Sequence, residues 1–458
     1  MGIVQGYSPE LVTDLYELTM AESYLREGMR SEATFSLFVR NYPKDRSFFV
    51  SAGIDEFLDL LPRFRFDGES IAYIRSLGRF SDDFLQYLSE FRFTGEVRAI
   101  PEGRLFFANE PVLEVTAPLI EAQVLETLAI NALQLEILVA TKAARCREAA
   151  RGKPLVDFSL RRTHGVDAAL KVARGSYIAG FAGTSNLLAG RLYDIPVFGT
   201  MAHSYVTSFK SEELAFEAFA RAFPKNTVLL IDTYDTMSGA RKALKVAREM
   251  VARGYPLPGV RLDSGDLVAL SREVRQLFTE AGFPEVLIMA SGSLDEIELK
   301  RLIEAGAEID VFAVGTRIGV SADAPYLDMV YKLVEYEGRP IIKLSSGKKT
   351  WVGRKQVYRF CDEWGKMSHD VLDTEGSIHP GGEPLLRQVV KGGERTVEPD
   401  ALSVVRERFL EDWNRLPDAY KDLEPKAYYP VRVSEALQEL DRKTAEEKRL
   451  KEVESYGG

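Results

Sequence analysis

The sequence predicts an α/β protein organised around a (β/α) barrel, and three observations carry that prediction. From about residue 154, short apolar runs alternate with helical segments, the texture of a βα array. The runs are "PLVDFSL", "YIAGFAGT", "IPVFGTM", "TVLLIDTY", "GVRLDSG", "VLIMASGS" and "VFAVGT". Nearly every run ends in polar or glycine residues: Arg161-Arg162, Thr184-Ser185-Asn186, Thr200 and His203, Asp232 and Asp235, Arg261 and Asp263, Ser291-Gly292-Ser293, and Gly315-Thr316. Side chains from many parallel strands converge at one rim in a closed barrel, and that rim hosts active sites. A doubly wound open sheet is the competing architecture, but it would put some of these ends far from its crevice.

Before the array, residues 9–28 read as a helix, because Leu11, Leu15, Leu18, Tyr24 and Leu25 recur at helical spacing. "TFSLFVR" and "FFVSAG" read as strands, and "IDEFLDLLPRF" as a helix. Residues 96–118 have the short strands and Gly/Pro turns of a small β-rich unit. The stretch beginning "LIEAQVLETLAINALQ" is long, apolar and helical, either as two helices or as one kinked helix. After about residue 325 the pattern turns to β hairpins, and the last ~60 residues read as charged helices. No repeat and no low-complexity linker separates the parts, which therefore pack together.

The composition narrows the functional classes. The 458 residues suggest two or three domains, and 45% hydrophobic with 28% charged content is ordinary for a globular enzyme. A net charge of -10 without a basic patch argues against a nucleic-acid partner. No run of ~18 apolar residues announces a membrane span, and the first twenty residues lack the layout of a signal peptide. Two cysteines, Cys146 and Cys361, provide neither a disulfide framework nor a zinc knuckle. A reducing, cytoplasmic setting is expected.

The run ends carry the chemistry. "ASGS" and "VGTRIG" put small residues with free backbone N–H groups before a helix or turn. That makes Ser291, Gly292, Gly315 and Thr316 candidates for a phosphate cradle, although ordinary tight turns have the same composition. Arg161, Arg162 and Arg261 stand where a structural residue would more often be apolar, and a guanidinium fork matches carboxylate or phosphate oxygens. The alternative is an ion pair with a neighbouring Asp. Asp232 and Asp263 would repel an anionic ligand unless a cation lay between, and Mg²⁺ is the expected one. Asp235 and Asp266 are better read as helix N-caps. His203, one of four histidines, stands at a strand end beside Thr200, Ser204 and Thr207. Spacing alone leaves it a proton shuttle, a phosphate binder, a nucleophile or a plain structural residue.

Taken together, "TDLYELTMAESYL", "DFSLRRTHG", "GFAGTSNLLAGRLYDIPVFGTMAHSYVTSF", "LLIDTYDT", "GVRLDSGDL", "VFAVGTRIGVS" and "SSGKKTWVGRKQVYR" resemble the nicotinate phosphoribosyltransferases. The likeness runs in order from about residue 12 to 360 and fades over the C-terminal ~90 residues. It implies an irregular (β/α) barrel over 126–325, joined to an α/β sandwich formed by residues 1–125 and a returning β-rich segment, 326–400. A helical extension over 401–458 follows. The implied reaction joins nicotinate to phosphoribosyl pyrophosphate, giving nicotinate mononucleotide and pyrophosphate in NAD salvage. ATP hydrolysis is coupled to it and Mg²⁺ is the cofactor.

The resemblance also assigns roles. It makes His203 the histidine phosphorylated by ATP, and Tyr16 the aromatic that stacks on the pyridine ring from the partner subunit of a homodimer. Thr200 and Arg261 fall at the nicotinate site and Thr316 at the phosphoribosyl phosphate. Asp232 and Asp263 lie near magnesium and the ribose pyrophosphate. His164, in the divergent "RRTHG", receives no role. The rival readings are a nicotinamide-specific relative, a quinolinate-using relative, and an inactive barrel scaffold. An arginine at the ring site favours a free carboxylate over an amide, and the intact set of strand-end residues argues against a scaffold.

Overall fold

The computed structural model describes residues 8–345 and 349–452. They form two compact units: one made of the residues up to Thr141 together with those from Ala324 onward, the other of Lys142–Asp323.

The first unit is built on a seven-stranded sheet. Its order is Arg339–Pro340, Met329–Tyr336, Glu32–Val39, Pro111–Pro118, Glu96–Ala99, Arg387–Lys391 and Glu394–Arg395. All pairs are antiparallel, with Phe35 opposite Val115 on one side and Leu333 on the other. Strands from either end of the chain thus share one sheet. Glu32–Val39 is buried along all but its first residue: Ala33, Phe35, Leu37 and Val39 alternate with Thr34 and Ser36, whose hydroxyls are hydrogen-bonded to Thr116 and Glu114. The helices Ile54–Leu60, Gly68–Ser76 and Asp82–Ser89 contribute Phe57, Ile74, Phe84 and Leu88 to the core beside this sheet.

Several expectations for this unit hold and others are corrected. The long apolar stretch is two helices, Leu119–Gln123 and Glu126–Ala149. Its residues are long and apolar enough to cross a membrane, yet 67% of the most apolar window is buried inside the protein. The helix expected over 9–28 is a 3-10 turn, Pro9–Leu11, followed by Leu15–Arg26. "FFVSAG" provides only the two-residue strand Phe49–Val50, because Gly53 turns the chain at φ +84° into the next helix. The C-terminal region is not purely helical. Between Leu402–Arg415 and Glu435–Glu452, the strand Val431–Val433 pairs in parallel with Met367–Thr374.

The second unit has a six-stranded parallel sheet. The order is Gly183–Thr184, Leu155–Asp157, Val311–Val314, Leu287–Ala290, Gly259–Leu262 and Val228–Leu230. The run "IPVFGTM" does not become a strand; it joins through a single parallel bridge, Thr184 with Val197. Pro196 has no N–H to donate, so pairing there is reduced to its carbonyl accepting from Thr184 N and to Phe198 N donating back. "YIAGFAGT" is likewise mostly not strand: Tyr177 and Ile178 close the helix Val166–Ile178, and Gly180 at φ +103° turns the chain.

Each strand pairs with its neighbour in sequence, the exception being Gly183–Thr184 and Val228–Leu230, and the first strand, Leu155–Asp157, pairs with the last, Val311–Val314. Among the described residues the pairing stops at Val197 on one side and at Val228–Leu230 on the other. The strand interiors are apolar and fully buried, including Leu229, Leu230, Val260, Leu262, Phe312 and Val314. In the helix Thr236–Ala252, Gly239 brings the first turn against the backbone of Ile231; a Cβ there would lie 2.1 Å from Ile231 O. That close approach positions the strand end that carries Asp232.

Candidate active site

Because the six strands are parallel, their C-terminal ends lie along one edge, and the polar residues predicted there follow them. Arg261 lies within Gly259–Leu262, and Asp263 comes directly after it. Asp232 follows Val228–Leu230, Ser291 follows Leu287–Ala290, and Gly315-Thr316 follow Val311–Val314. His203 opens the short helix His203–Thr207.

Direct contacts draw most of these residues together. Arg261 Nη1 donates to Thr200 Oγ1. Asp232 Oδ2 accepts from Asp263 N at 2.9 Å and from Ser264 Oγ at 2.8 Å. Ser291 Oγ donates to Asp263 Oδ1. His203 Nδ1 lies 3.1 Å from Thr233 Oγ1, and its Nε2 lies 3.9 Å from Asp263 Oδ2. Burial draws the Arg261 guanidinium below its ordinary value, while Asp263 and Asp232 pull the other way and Arg161 reinforces the decrease. Arg161 is therefore an electrostatic neighbour of Arg261, though it is itself exposed in the turn Leu160–Arg162.

Among the described residues at this edge, Arg261 Nε, Asp232 Oδ1 and Ser159 Oγ are buried without a hydrogen-bond partner. A buried donor and a buried acceptor left unspent cost free energy unless a ligand satisfies them. Gly292 is held at φ +93°, and a Cβ on it would sit 2.2 Å from the Asp263 carbonyl. Ser293 follows at φ +52°. Gly315 lies close to Phe158; its Cβ would be 3.1 Å from Phe158 O. Thr316 begins the short helix Thr316–Gly319, and among the described residues no hydrogen bond joins it to the Arg261 cluster. Asp235 and Asp266 cap their helices as expected, accepting from Ser238 N, and from Val268 N and Ala269 N. Tyr16 belongs to the other unit, in the helix Leu15–Arg26, where it is 47% exposed.

Sequence reasoning missed three residues. Thr233 sits inside "LLIDTYDT", where the carboxylates drew attention, and its hydroxyl meets the histidine. Ser264 hydrogen-bonds Asp232. Asp157, buried at the end of Leu155–Asp157, accepts from Ser159 N at 2.8 Å and Thr184 Oγ1 at 2.7 Å and so shapes the turn leading to Arg161. An acid at a strand end in "DFSLRR" was the available signal. Burial raises this carboxyl above the usual carboxylate range, against the two hydrogen bonds.

A cation at Asp232 and Asp263 is compatible with what the residues offer. Among the described residues no group of three or more His, Cys, Asp and Glu side chains could hold a metal by themselves. The unpartnered Asp232 Oδ1 is one free oxygen, and Mg²⁺ characteristically takes few carboxylates, completing its shell with water and substrate phosphate.

Comparison with known proteins gives the family of the chain. The family model described as the nicotinate phosphoribosyltransferase N-terminal domain matches residues 11–134. The model of the nicotinate phosphoribosyltransferase family matches residues 154–368. The nicotinate phosphoribosyltransferase pncB2 of Mycobacterium tuberculosis is 47% identical over 429 residues, covering 93% of this chain and 92% of the relative. That of Bacillus subtilis is 43% identical over 364 residues, 78% of this chain and 74% of the relative. The crystal structure of human nicotinic acid phosphoribosyltransferase superposes with a TM-score of 0.85 at 32% identity, covering 94% of this chain and 99% of that one.

Proposed function

Because this chain belongs to the nicotinate phosphoribosyltransferase family, we propose that its strand-end cluster joins nicotinate to phosphoribosyl pyrophosphate in an ATP-coupled, Mg²⁺-dependent step. The family reaction, phosphoribosyl transfer to nicotinate in NAD salvage, is the activity of this protein. One observation carries the assignment of the site. Arg261 is a half-buried cation joined to Thr200, with its Nε unspent, beside the Asp232–Asp263 pair with its own unspent oxygen.

Each residue then has a task. Arg261 receives the ring carboxylate through the guanidinium fork, with Thr200 fixing the fork's angle. Gly292, Gly315 and Thr316 offer backbone N–H groups to phosphate oxygens, and Arg161 adds positive charge near the same edge. Ser291 lines the same loop, but its N–H donates to Leu262 O at 2.9 Å and its hydroxyl to Asp263. Asp232 and Asp263 would hold Mg²⁺, which would neutralise charge building on the departing pyrophosphate. Attack by the pyridine nitrogen on the anomeric carbon needs no strong general base. Positioning therefore dominates, with gains of up to ~7–11 kcal/mol in well-ordered cases. His203 takes the phosphoryl group of ATP. Its half-open side chain, 42% exposed, is compatible with that role.

The same reading covers the finer architecture and the assembly. The sheet of the Lys142–Asp323 unit is an irregular barrel with one neighbouring pair unjoined, the reading its circular strand order supports. The other unit is the sandwich formed by N-terminal and returning segments. Leu11, Leu15 and Tyr16 stand exposed in one short stretch, consistent with a homodimer in which Tyr16 reaches the partner's ring site. The two cysteines are free, as a cytoplasmic protein would have them.

The experiment is a product assay with nicotinate or nicotinamide, with and without ATP. The expected result is nicotinate mononucleotide formation stimulated by ATP, with little product from nicotinamide. Equal use of the amide would remove Arg261 as a carboxylate receptor, and indifference to ATP would remove the coupling.

A further inference from the structure

We infer that Thr233 is a positioning residue for His203, its hydroxyl holding the imidazole with Nδ1 presented to an incoming phosphoryl group and Nε2 turned to Asp263. This rests on the phosphohistidine reading given above and adds to it the residue that orients the ring.

The ring has two polar neighbours, one for each nitrogen. Thr233 Oγ1 is 3.1 Å from Nδ1, and Asp263 Oδ2 is 3.9 Å from Nε2. A carboxylate only accepts, so its field favours the tautomer with the proton on Nε2. Nδ1 then carries the lone pair, and the Thr233 hydroxyl is the donor to it. One turn of chain arranges both neighbours. Thr233 follows directly on Asp232, whose Oδ2 accepts from Asp263 N at 2.9 Å and so holds the Asp263 loop against the same strand end. A displacement of this turn would move both partners of the ring together.

The arrangement suits acceptance of a phosphoryl group from a nucleoside triphosphate. The Nδ1 lone pair forms the N–P bond. The bond between the γ-phosphorus and the β,γ-bridging oxygen breaks, and the nucleoside diphosphate leaves with that electron pair. Nε2 keeps its proton, so the phosphorylated ring is cationic and faces the Asp263 carboxylate. The Thr233 hydroxyl, displaced from Nδ1, stays beside it and donates to a phosphoryl oxygen. Val in place of Thr keeps the branched shape but loses this donor, whereas Ser keeps the donor.

The test compares the full chain with Thr233→Val and Thr233→Ser. One readout is incorporation of label from γ-³²P-ATP into the protein. The other is the ratio of turnover with ATP to turnover without it. Thr233→Val is expected to lower both about tenfold, the upper range for one hydrogen bond, and Thr233→Ser to restore them to within about twofold. The loss falls on the ATP-dependent rate rather than on KM for nicotinate. Thr233→Ala replaces the Val variant in the comparison if the latter does not fold. Label entering Thr233→Val at the parental rate overturns the assignment alone, as does a folded Ser variant no better than Val. Absence of label in the parent protein fails the phosphohistidine reading, and the assignment of Thr233 with it.

Discussion

Arg261 and Thr200 lie 61 positions apart and meet through a hydrogen bond from guanidinium to hydroxyl, while the Nε of the same guanidinium is buried without a partner. One end of the fork is thus fixed by the protein and the other is left for a ligand. Arg261→Ala is expected to raise KM for nicotinate by ~10–100-fold, the loss of a charge-assisted hydrogen bond of about 1.5–3 kcal/mol. Arg261→Lys should recover little, because a point charge cannot hold Thr200 and the carboxylate in one plane. Steady-state kinetics on both variants decide this, and an unchanged KM would take Arg261 out of the ring site.

Gly292 is held at φ +93° against the carbonyl of Asp263. Gly292→Ala is expected to cost about 1–3 kcal/mol in backbone strain and to push the loop off Asp263. The measured signs are a lower Tm and a higher KM for phosphoribosyl pyrophosphate. A variant with the parental KM would mean that the loop does not touch the sugar donor.

Glu17 provides a pH-dependent prediction. Its side chain is fully buried; Oε1 accepts from Thr127 N and Oγ1, and Oε2 has no partner. Burial, with Glu126 and Asp14 adding to it against the Thr127 hydrogen bonds, raises its pKa from 4.5 to about 8. Below pH 4.5 the group is protonated folded or unfolded and contributes no pH dependence. Between 4.5 and about 8 the unfolded chain releases the proton and the folded chain keeps it, so stability falls as pH rises. Glu17→Gln keeps the shape and the Thr127 contacts without the ionisation. It is expected to be more stable than the parent at pH 8, by on the order of a few kcal/mol, and to match it near pH 4.5. Tm measured across that range for both proteins checks it; a constant difference between the curves would show that Glu17 does not titrate in this interval.

Asp412, in the helix Leu402–Arg415, accepts from Arg104 Nε at 2.8 Å, Leu105 N at 3.0 Å and Arg359 Nη1 at 3.1 Å, all buried. Removing the carboxylate leaves two arginines short of a partner. Asp412→Ala is therefore expected to destabilise the protein by about 3–5 kcal/mol. Urea unfolding of the variant tests it, and a small loss would mean that the C-terminal helix is an appendage rather than part of the core.

The strand-end chemistry was legible because polar residues directly after apolar runs violate the local rule for a core. Arg261, Asp232, Asp263 and Ser291 do come together. Thr316 was equally visible, but among the described residues no hydrogen bond joins it to that cluster. The Asp235 and Asp266 caps were legible for a simpler reason: a cap bonds backbone N–H groups two or three residues away. Tyr177 and Ile178 misled, because two apolar residues before Gly180 suit a helix end as well as a strand, and local composition does not choose between them.

The sequence alone therefore determined most of the alternation of strands and helices, "IPVFGTM" and most of "YIAGFAGT" excepted, together with the helix caps and the residue types at the strand ends, since these depend on periodicity and on neighbours a few positions away. Only the tertiary structure decided that Thr233 meets His203, that Asp412 serves Arg104 across 308 positions, and that strands before and after the Lys142–Asp323 unit share one sheet. Such contacts are chosen by the joint burial of distant segments, a quantity no single stretch of chain contains.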